Sequence, residues 1–207
     1  MRLLLLAPPG AGKGTQGERL AAWSGAEHIA AGDVLRAQAA AGSDLAREIA
    51  VYQARGDLVP DQIVVDALTP VIIAAAQRGG FILDGFPRNL PQAVAAADLA
   101  VRLGFTLHAA IYLQAADAVL TERLLGRAAQ GGRTDDTIDV IRHRLQVYAE
   151  TTGPLVPYYA DRGILVTVNA DQPPDAVTAE IKDRLSALGV PGAEDANEAE
   201  AKRAQMG

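Results

Sequence analysis

Leu3 to Leu6 is an unbroken apolar run that ends at Ala7-Pro8-Pro9-Gly10. A short apolar stretch bounded by a turn fits a strand buried on both faces, as in a parallel sheet. The stretch from about Lys13 to Trp23 predicts a helix, with Gly25 as its stop. Residues 32–56 predict two helices, separated by Gly42-Ser43-Asp44 as turn and N-cap. Asp61 to Arg78 predicts a longer helix, kinked at Pro70. Phe81-Ile82-Leu83-Asp84 predicts a second strand, Leu107 to Leu113 a third, and Ile164 to Val168 a fourth. Further helices are predicted over Pro91–Leu103, with Pro near its first turn, and over Ala116–Arg127, 137–151, 154–162 and Pro174–Leu188.

Strands alternating with helices predict an α/β fold, a parallel sheet flanked by helices. Such sheets bind ligands beyond the carboxyl ends of their strands. The two motifs richest in chemistry sit at such ends, one after Leu6 and one after Leu83. No internal repeat is present. The folded domain is expected over residues 1–188, and residues 189–207 are expected to form a flexible tail. Pro191 to Gly207 is rich in Ala and Glu and shows no apolar stripe, so a frayed helix or disorder is expected there.

Composition narrows the function. The 207 residues suit one compact domain, and 49% hydrophobic residues are enough for a core. The net charge of −6 argues against a general nucleic-acid partner. Absence of cysteine removes disulfides and Cys-ligated zinc, and fits a cytoplasmic protein. His28, His108 and His143 are scattered and read as surface or core residues rather than ligands. The opening apolar run is too short for a signal peptide and is cut by Pro8-Pro9-Gly10. No other stretch is long enough to span a bilayer, so no membrane partner is expected.

Ala7-Pro8-Pro9-Gly10-Ala11-Gly12-Lys13-Gly14-Thr15 joins the first strand to the first helix. Glycines let backbone N–H groups wrap a polyphosphate, the helix N-terminus adds partial positive charge, and Lys13 adds a full one. The pattern G-x-x-x-x-G-K-[ST] is not met strictly: Ala7 stands for the first Gly, and Gly14 separates Lys13 from Thr15. In Asp84-Gly85-Phe86-Pro87-Arg88, an Asp at a strand end can hold Mg²⁺ through water, and the Arg can grip a phosphate bidentately. Arg123 and Arg127 share one helix face at i and i+4, followed by Arg133, Arg142 and Arg144. Several arginines converging on one pocket repel one another unless an anion lies between them, and a triphosphate is such an anion.

P-G-A-G-K-G-T-Q, from Pro9 to Gln16, resembles the phosphate loop of adenylate kinases, and the resemblance runs in order over about residues 1–188. D-G-F-P-R, from Asp84 to Arg88, is similar to the signature of nucleoside monophosphate kinases. The resemblance implies the P-loop kinase fold of that family, with a helical acceptor-binding lobe over about 30–59. It also implies a short lid over about 126–136, because only five residues separate Arg127 from Arg133. It implies a donor ATP site at Gly10, Ala11, Gly12, Lys13, Gly14, Thr15, Arg123, Arg127 and Gln172. It implies an acceptor site at Ala31, Arg36, Asp57, Leu58, Val59, Gly85, Phe86, Pro87, Arg88 and Gln92, with Arg133 and Arg144. Lys13, Arg88, Arg127, Arg133 and Arg144 are the expected catalytic residues, with Asp84 holding Mg²⁺ through water and no zinc. Closure of the lid and the acceptor lobe is expected to exclude water during transfer.

The implied reaction is reversible transfer between ATP and AMP giving two ADP, by a monomer. Two departures leave alternatives open. Ala31 stands where adenylate kinases usually have Thr, and Ala31 with Asn89 resembles UMP/CMP kinases instead. Ala7 in the phosphate loop raises the second alternative, a nucleotide-binding regulator without turnover, although a mere binder has no need of a second phosphate pocket.

Overall fold

A computed structural model of the chain describes residues 1–39, 47, 49, 51, 52, 59–129 and 137–198. The described strands are β1 (Arg2–Leu6), β2 (Glu27–Ala30), β3 (Phe81–Asp84), β4 (Ala109–Gln114) and β5 (Leu165–Asn169). They form one parallel sheet in the order β2-β3-β1-β4-β5. The helices are α1 (Lys13–Ser24), α2 (Ala31–Ala39), α3 (Asp61–Gln77), α4 (Leu90–Leu103), α5 (Asp117–Ala129) and α6 (Ile138–Val147). A π turn (Tyr148–Thr152) comes next, then α7 (Leu155–Ala160) and α8 (Pro174–Ala187).

Successive side chains of a strand point to opposite faces, and the central strand shows why its run has no polar break. Leu3 and Leu5 face a layer containing Leu20 and Trp23 of α1 and Val177, Ile181 and Leu185 of α8. Leu4 and Leu6 face the other layer, with Ile29, Leu68, Leu83, Phe86 and Leu155. All four leucines are buried, so a polar residue at any of them would lose its water with no partner in return.

The four strands read from the sequence are present, and the structure adds a fifth. β2, Glu-His-Ile-Ala, lies at the sheet edge beside β3 and buries only Ile29 fully. A strand with one neighbour and one core residue carries almost no hydrophobic signal. α3 contains Pro70, and α4 is capped by Asn89, whose side-chain oxygen accepts from the N–H of Gln92. Of the two helices expected over 32–56, α2 is present; the Gly42-Ser43-Asp44 turn lies outside the described residues, as do 53–58 and 130–136.

The pattern over 137–151 predicts one continuous helix, and the chain instead widens into the π turn after Val147. The N–H of Gly153 donates to the carbonyl of Tyr148 at 2.8 Å. A Cβ at Gly153 would lie 2.6 Å from the carbonyl oxygen of Ala149, so this turn needs glycine for space. π turns recur at functional sites because one extra residue re-aims the side chains beyond it. Here the hydroxyl of Thr152 is aimed at the carbonyl of Arg88, to which it donates at 2.8 Å.

The expected flexible tail is corrected for the part described. Residues 193–198 are helical, and Val190, Ala193 and Ala196 are buried in the same layer as Trp23 and Leu185. Trp23 Nε1 donates to Asn197 Oδ1 at 3.0 Å, and Asn197 Nδ2 donates to Ser186 Oγ at 2.9 Å. The apolar stripe is built of alanines one helical turn apart, which hydropathy hardly registers and close packing uses well. Residues 199–207 lie outside the described residues. No helix among the described residues is long and apolar enough to cross a membrane.

The amino end of the sheet holds a pH-sensitive contact. His108 Nδ1 accepts from the N–H of Arg2 at 3.2 Å. Burial, then the charges of Arg2 and of the chain's amino terminus, lower the imidazole from 6.5 to about 4. The folded state therefore binds fewer protons than the unfolded chain between these values. This contribution to stability is complete above pH 6.5 and is lost as pH falls toward 4. His108→Asn keeps an acceptor for Arg2 and removes the titration. Urea midpoints measured from about pH 7 to about pH 4 are expected to fall more for wild type than for this variant. Equal slopes would contradict the assignment.

Candidate active site

The loop after β1 sits where strand polarity places it, at the carboxyl edge of the sheet and against the start of α1. Gly12 is the N-cap of α1 with φ +91°. Gly10 has φ +89°, and a Cβ there would meet the carbonyl oxygen of Leu120 at 2.9 Å and Cγ of Leu124 at 3.0 Å. Only glycine satisfies both the backbone angle and the approach of α5. Lys13 is half-buried, and its ammonium donates to the carbonyl of Ala7 at 2.7 Å, which holds it at the mouth of the loop.

Gln16, the last residue of the loop motif, points away from the loop. It is buried, its Nε2 donates to the carbonyl of Pro174 at 3.0 Å, and its Oε1 accepts from Thr178 at 2.7 Å. Its work is to clamp α1 onto α8, and Arg19 adds an ion pair to Asp175 at 2.5 Å.

The loop after β3 borders the same cleft. Asp84 ends β3, with Leu5 and Ala30 as its sheet partners on either side. The Phe86–Pro87 peptide is cis. Arg88 is held from three sides: its Nε donates to the carbonyl of Gly85 at 2.9 Å, its N–H donates to Gln92 Oε1 at 2.7 Å, and its carbonyl accepts from Thr152. Gln92 is buried in the first turn of α4. Its Nε2 donates to Asp61 Oδ1 at 2.6 Å. Asn89 Nδ2 donates to both oxygens of Asp61, at 2.9 and 3.0 Å.

These loops open onto one cleft of about 1180 Å³. Pockets for a single drug-sized ligand run to roughly 1,000 Å³, so the cleft has room for more than one nucleotide. Gly10, Gly12, Lys13, Gly14 and Thr15 line it from one side, and Arg36, Val59, Gly85, Pro87, Arg88 and Gln92 from the other. Arg123 and Arg127 of α5 and Arg144 of α6 also line it, as does Asp84. Arg36 is paired with Asp33 one helical turn earlier, which aims it along α2. Arg142 stays outside the cleft, exposed, 3.9 Å from Asp139. Tyr148 reaches the cleft from the π turn; burial, then Tyr112, raises its phenol, so it presents a neutral hydroxyl.

Several expected site residues fall elsewhere. Ala11, Ala31 and Phe86 are buried beneath the cleft rather than lining it. Gln172 lies in the β5–α8 turn and does not line the cleft; its amide donates to the carbonyl of Asn169 and to Glu180. Asp57, Leu58 and Arg133 lie outside the described residues. Asp61, Thr152 and Tyr148 join the site only in the structure, and they carry no motif by which to find them.

The chain matches the family model described as "Adenylate kinase" over residues 5–164. It is 45% identical over 185 residues to a protein named adenylate kinase from Parasynechococcus marenigrum (strain WH8102), covering 89% of this chain and 98% of that protein. It is 44% identical over 181 residues to one of the same name from Stenotrophomonas maltophilia (strain R551-3), covering 87% and 97%. A third, from Xylella fastidiosa (strain 9a5c), is also 44% identical over 181 residues with the same coverage. With likeness along nearly the whole length of such relatives, and with the phosphate loop, the Asp84–Arg88 loop and the cleft arginines gathered in one place, the chain belongs to the adenylate kinase family, the nucleoside monophosphate kinases that act on adenine nucleotides.

Proposed function

We propose that the cleft transfers the γ-phosphoryl group of ATP reversibly to AMP, giving two ADP, with the phosphate loop side as donor site and the Arg36–Arg88–Gln92 side as acceptor site. The observation that carries this reading is the division of one cleft into two cationic walls, Lys13 with Arg123 and Arg127 on one, Arg36 and Arg88 on the other, with a buried amide beside the second. A phosphate oxygen of AMP bonds to the γ phosphorus as the bond from that phosphorus to the β–γ bridging oxygen breaks. The attacking oxygen is anionic at neutral pH, so no general base is needed. Catalysis then reduces to positioning and to stabilising charge on the transferring group. Lys13, Arg88, Arg127 and Arg144 supply cationic donors, and Arg133 belongs with them by its place in the sequence.

The residues present suit Mg²⁺. Asp84 is half-buried at the cleft wall, and Thr15 opens onto the same space. One carboxylate and one hydroxyl fit an ion that keeps several waters and takes its remaining ligands from substrate phosphates. Bound with ATP, Mg²⁺ neutralises phosphate charge. Among the described residues no group of three or more His, Asp or Glu side chains is placed to hold a metal alone. The acidic net charge disfavours nucleic acid and anionic membrane surfaces as partners, the absence of cysteine fits a cytoplasmic protein, and both agree with a monomer working on free nucleotides.

AMP is favoured over CMP and UMP by what Asn89 does. Asn89 is one of the two residues behind the pyrimidine alternative, but its oxygen caps α4 and its Nδ2 binds both oxygens of Asp61, whereas the Gln92 amide, with one bond at each end, keeps one lone pair and one N–H for a base. Base reading is left to Gln92. A coupled assay at one ATP concentration is expected to give AMP a kcat/KM at least about tenfold above CMP and UMP, the discrimination of one or two buried hydrogen bonds. A higher value for either pyrimidine would overturn the assignment of the acceptor.

A further inference from the structure

The Gln92 amide has four hydrogen-bonding positions, two N–H donors and two carbonyl lone pairs. One lone pair takes the N–H of Arg88 at 2.7 Å, and one N–H goes to Asp61 at 2.6 Å. A flipped amide would set NH₂ against the N–H of Arg88 and a carbonyl oxygen against a carboxylate. Both contacts are repulsive, and Gln92 is 2% exposed, so water cannot relieve them. We infer that Asp61 is a positioning residue that locks Gln92 in one orientation and thereby makes the acceptor site select a 6-amino purine over a 6-keto purine. Asp61 is the first residue of α3 and is held in turn by two bonds from Asn89, the N-cap of α4. The two helix starts are thus tied together around the amide.

The selectivity comes from the base edge. An adenine offers an N–H at its 6-amino group beside an acceptor at N1. Hypoxanthine offers the reverse, a 6-keto acceptor beside an N1–H donor. The remaining lone pair and N–H of a locked Gln92 can match one order only. The pair in use assigns the oxygen to the Arg88 side and the nitrogen to the Asp61 side. A base with the reverse order meets donor against donor and acceptor against acceptor.

The inference rests on the reading that the acceptor base is bound at Gln92, and the experiment separates the two. The ratio of kcat/KM for AMP to that for inosine monophosphate is measured in wild type, Asp61→Ala, Asp61→Asn and Gln92→Ala, each checked by thermal melting. Asp61→Ala is expected to lower the ratio about tenfold, the loss of one charge-assisted hydrogen bond. That loss should show in KM for AMP more than in kcat. Asp61→Asn keeps an oxygen acceptor for Gln92 Nε2 and is expected to recover most of the ratio. An unchanged ratio in Asp61→Ala, with a collapsed ratio in Gln92→Ala, overturns the positioning role alone. An equal loss in Asp61→Ala and Asp61→Asn also overturns it, because orientation by an accepting oxygen would then not be the cause. An unchanged ratio in Gln92→Ala overturns the acceptor-base assignment itself.

Discussion

Lys13→Met and Arg88→Ala are each expected to lower kcat by about 10²–10³ while the far-ultraviolet circular dichroism stays that of the wild type. The magnitude is that of losing one preorganised donor to transition-state charge. Lys13 is half-buried at the loop mouth, and methionine keeps an unbranched apolar stem of nearly its length without its charge. The fold does not depend on that charge, since α1 is held by Leu20, Trp23 and the Gln16 clamp. Arg88 does more than offer charge, because its Nε also braces the carbonyl of Gly85. Arg88→Lys therefore makes a useful companion. It keeps the charge and loses the planar fork, and its activity should lie between wild type and Arg88→Ala. Turnover near normal in Lys13→Met or Arg88→Ala, with an intact fold, would remove the assigned site.

Truncation after Gly189 is expected to cost about 2–3 kcal/mol and to lower the melting temperature by roughly 4–12 °C, at 2–4 °C per kcal/mol for a domain of this size. The loss has three parts. Burial of Val190, Ala193 and Ala196 disappears. Trp23, 3% exposed in the full chain, is uncovered along one face. The indole N–H loses Asn197, at about 1 kcal/mol. Release of chain entropy on truncation offsets part of the sum, which is why the net figure is modest. The packed face lies at the carboxyl end of α1, away from the phosphate loop at its start, so kcat below the melting range should change little. Asn197→Ala alone is expected to show about a third of the effect. A melting temperature within about 1 °C of wild type after truncation would mean that the 193–198 helix contributes no net stability.

Strand and helix order was legible because it depends on local rules. Leu3–Leu6 and Phe81–Leu83 are short continuous apolar runs bounded by turns, and a strand covered on both faces hides such a run from water. Gly10, Gly12 and Lys13 could be read as a phosphate-loop turn because the backbone angles there and the start of the helix are set within a few residues. The resemblance carried further, naming Arg36, Arg88, Arg123, Arg127, Arg144 and Gln92, all of which line the cleft. Ala31 and Phe86, also named by it, are buried, and neither they nor Gln172 line the cleft.

By itself the sequence determined the α/β architecture, the phosphate loop, the second motif after β3 and the set of cationic side chains, since each depends on chemistry within one turn or one strand. The tertiary structure alone decided which side chains hold those groups in place. Asp61 lies 31 residues before Gln92, and Thr152 lies 64 residues after Arg88. Asn197 lies 174 residues after Trp23. Such pairs leave no periodicity, because their partners become neighbours only when the sheet packs its helices. The edge strand β2 and the alanine face of the last described helix were decided at that level too. Their free energy comes from close packing against residues distant in the chain, not from any property of their own composition.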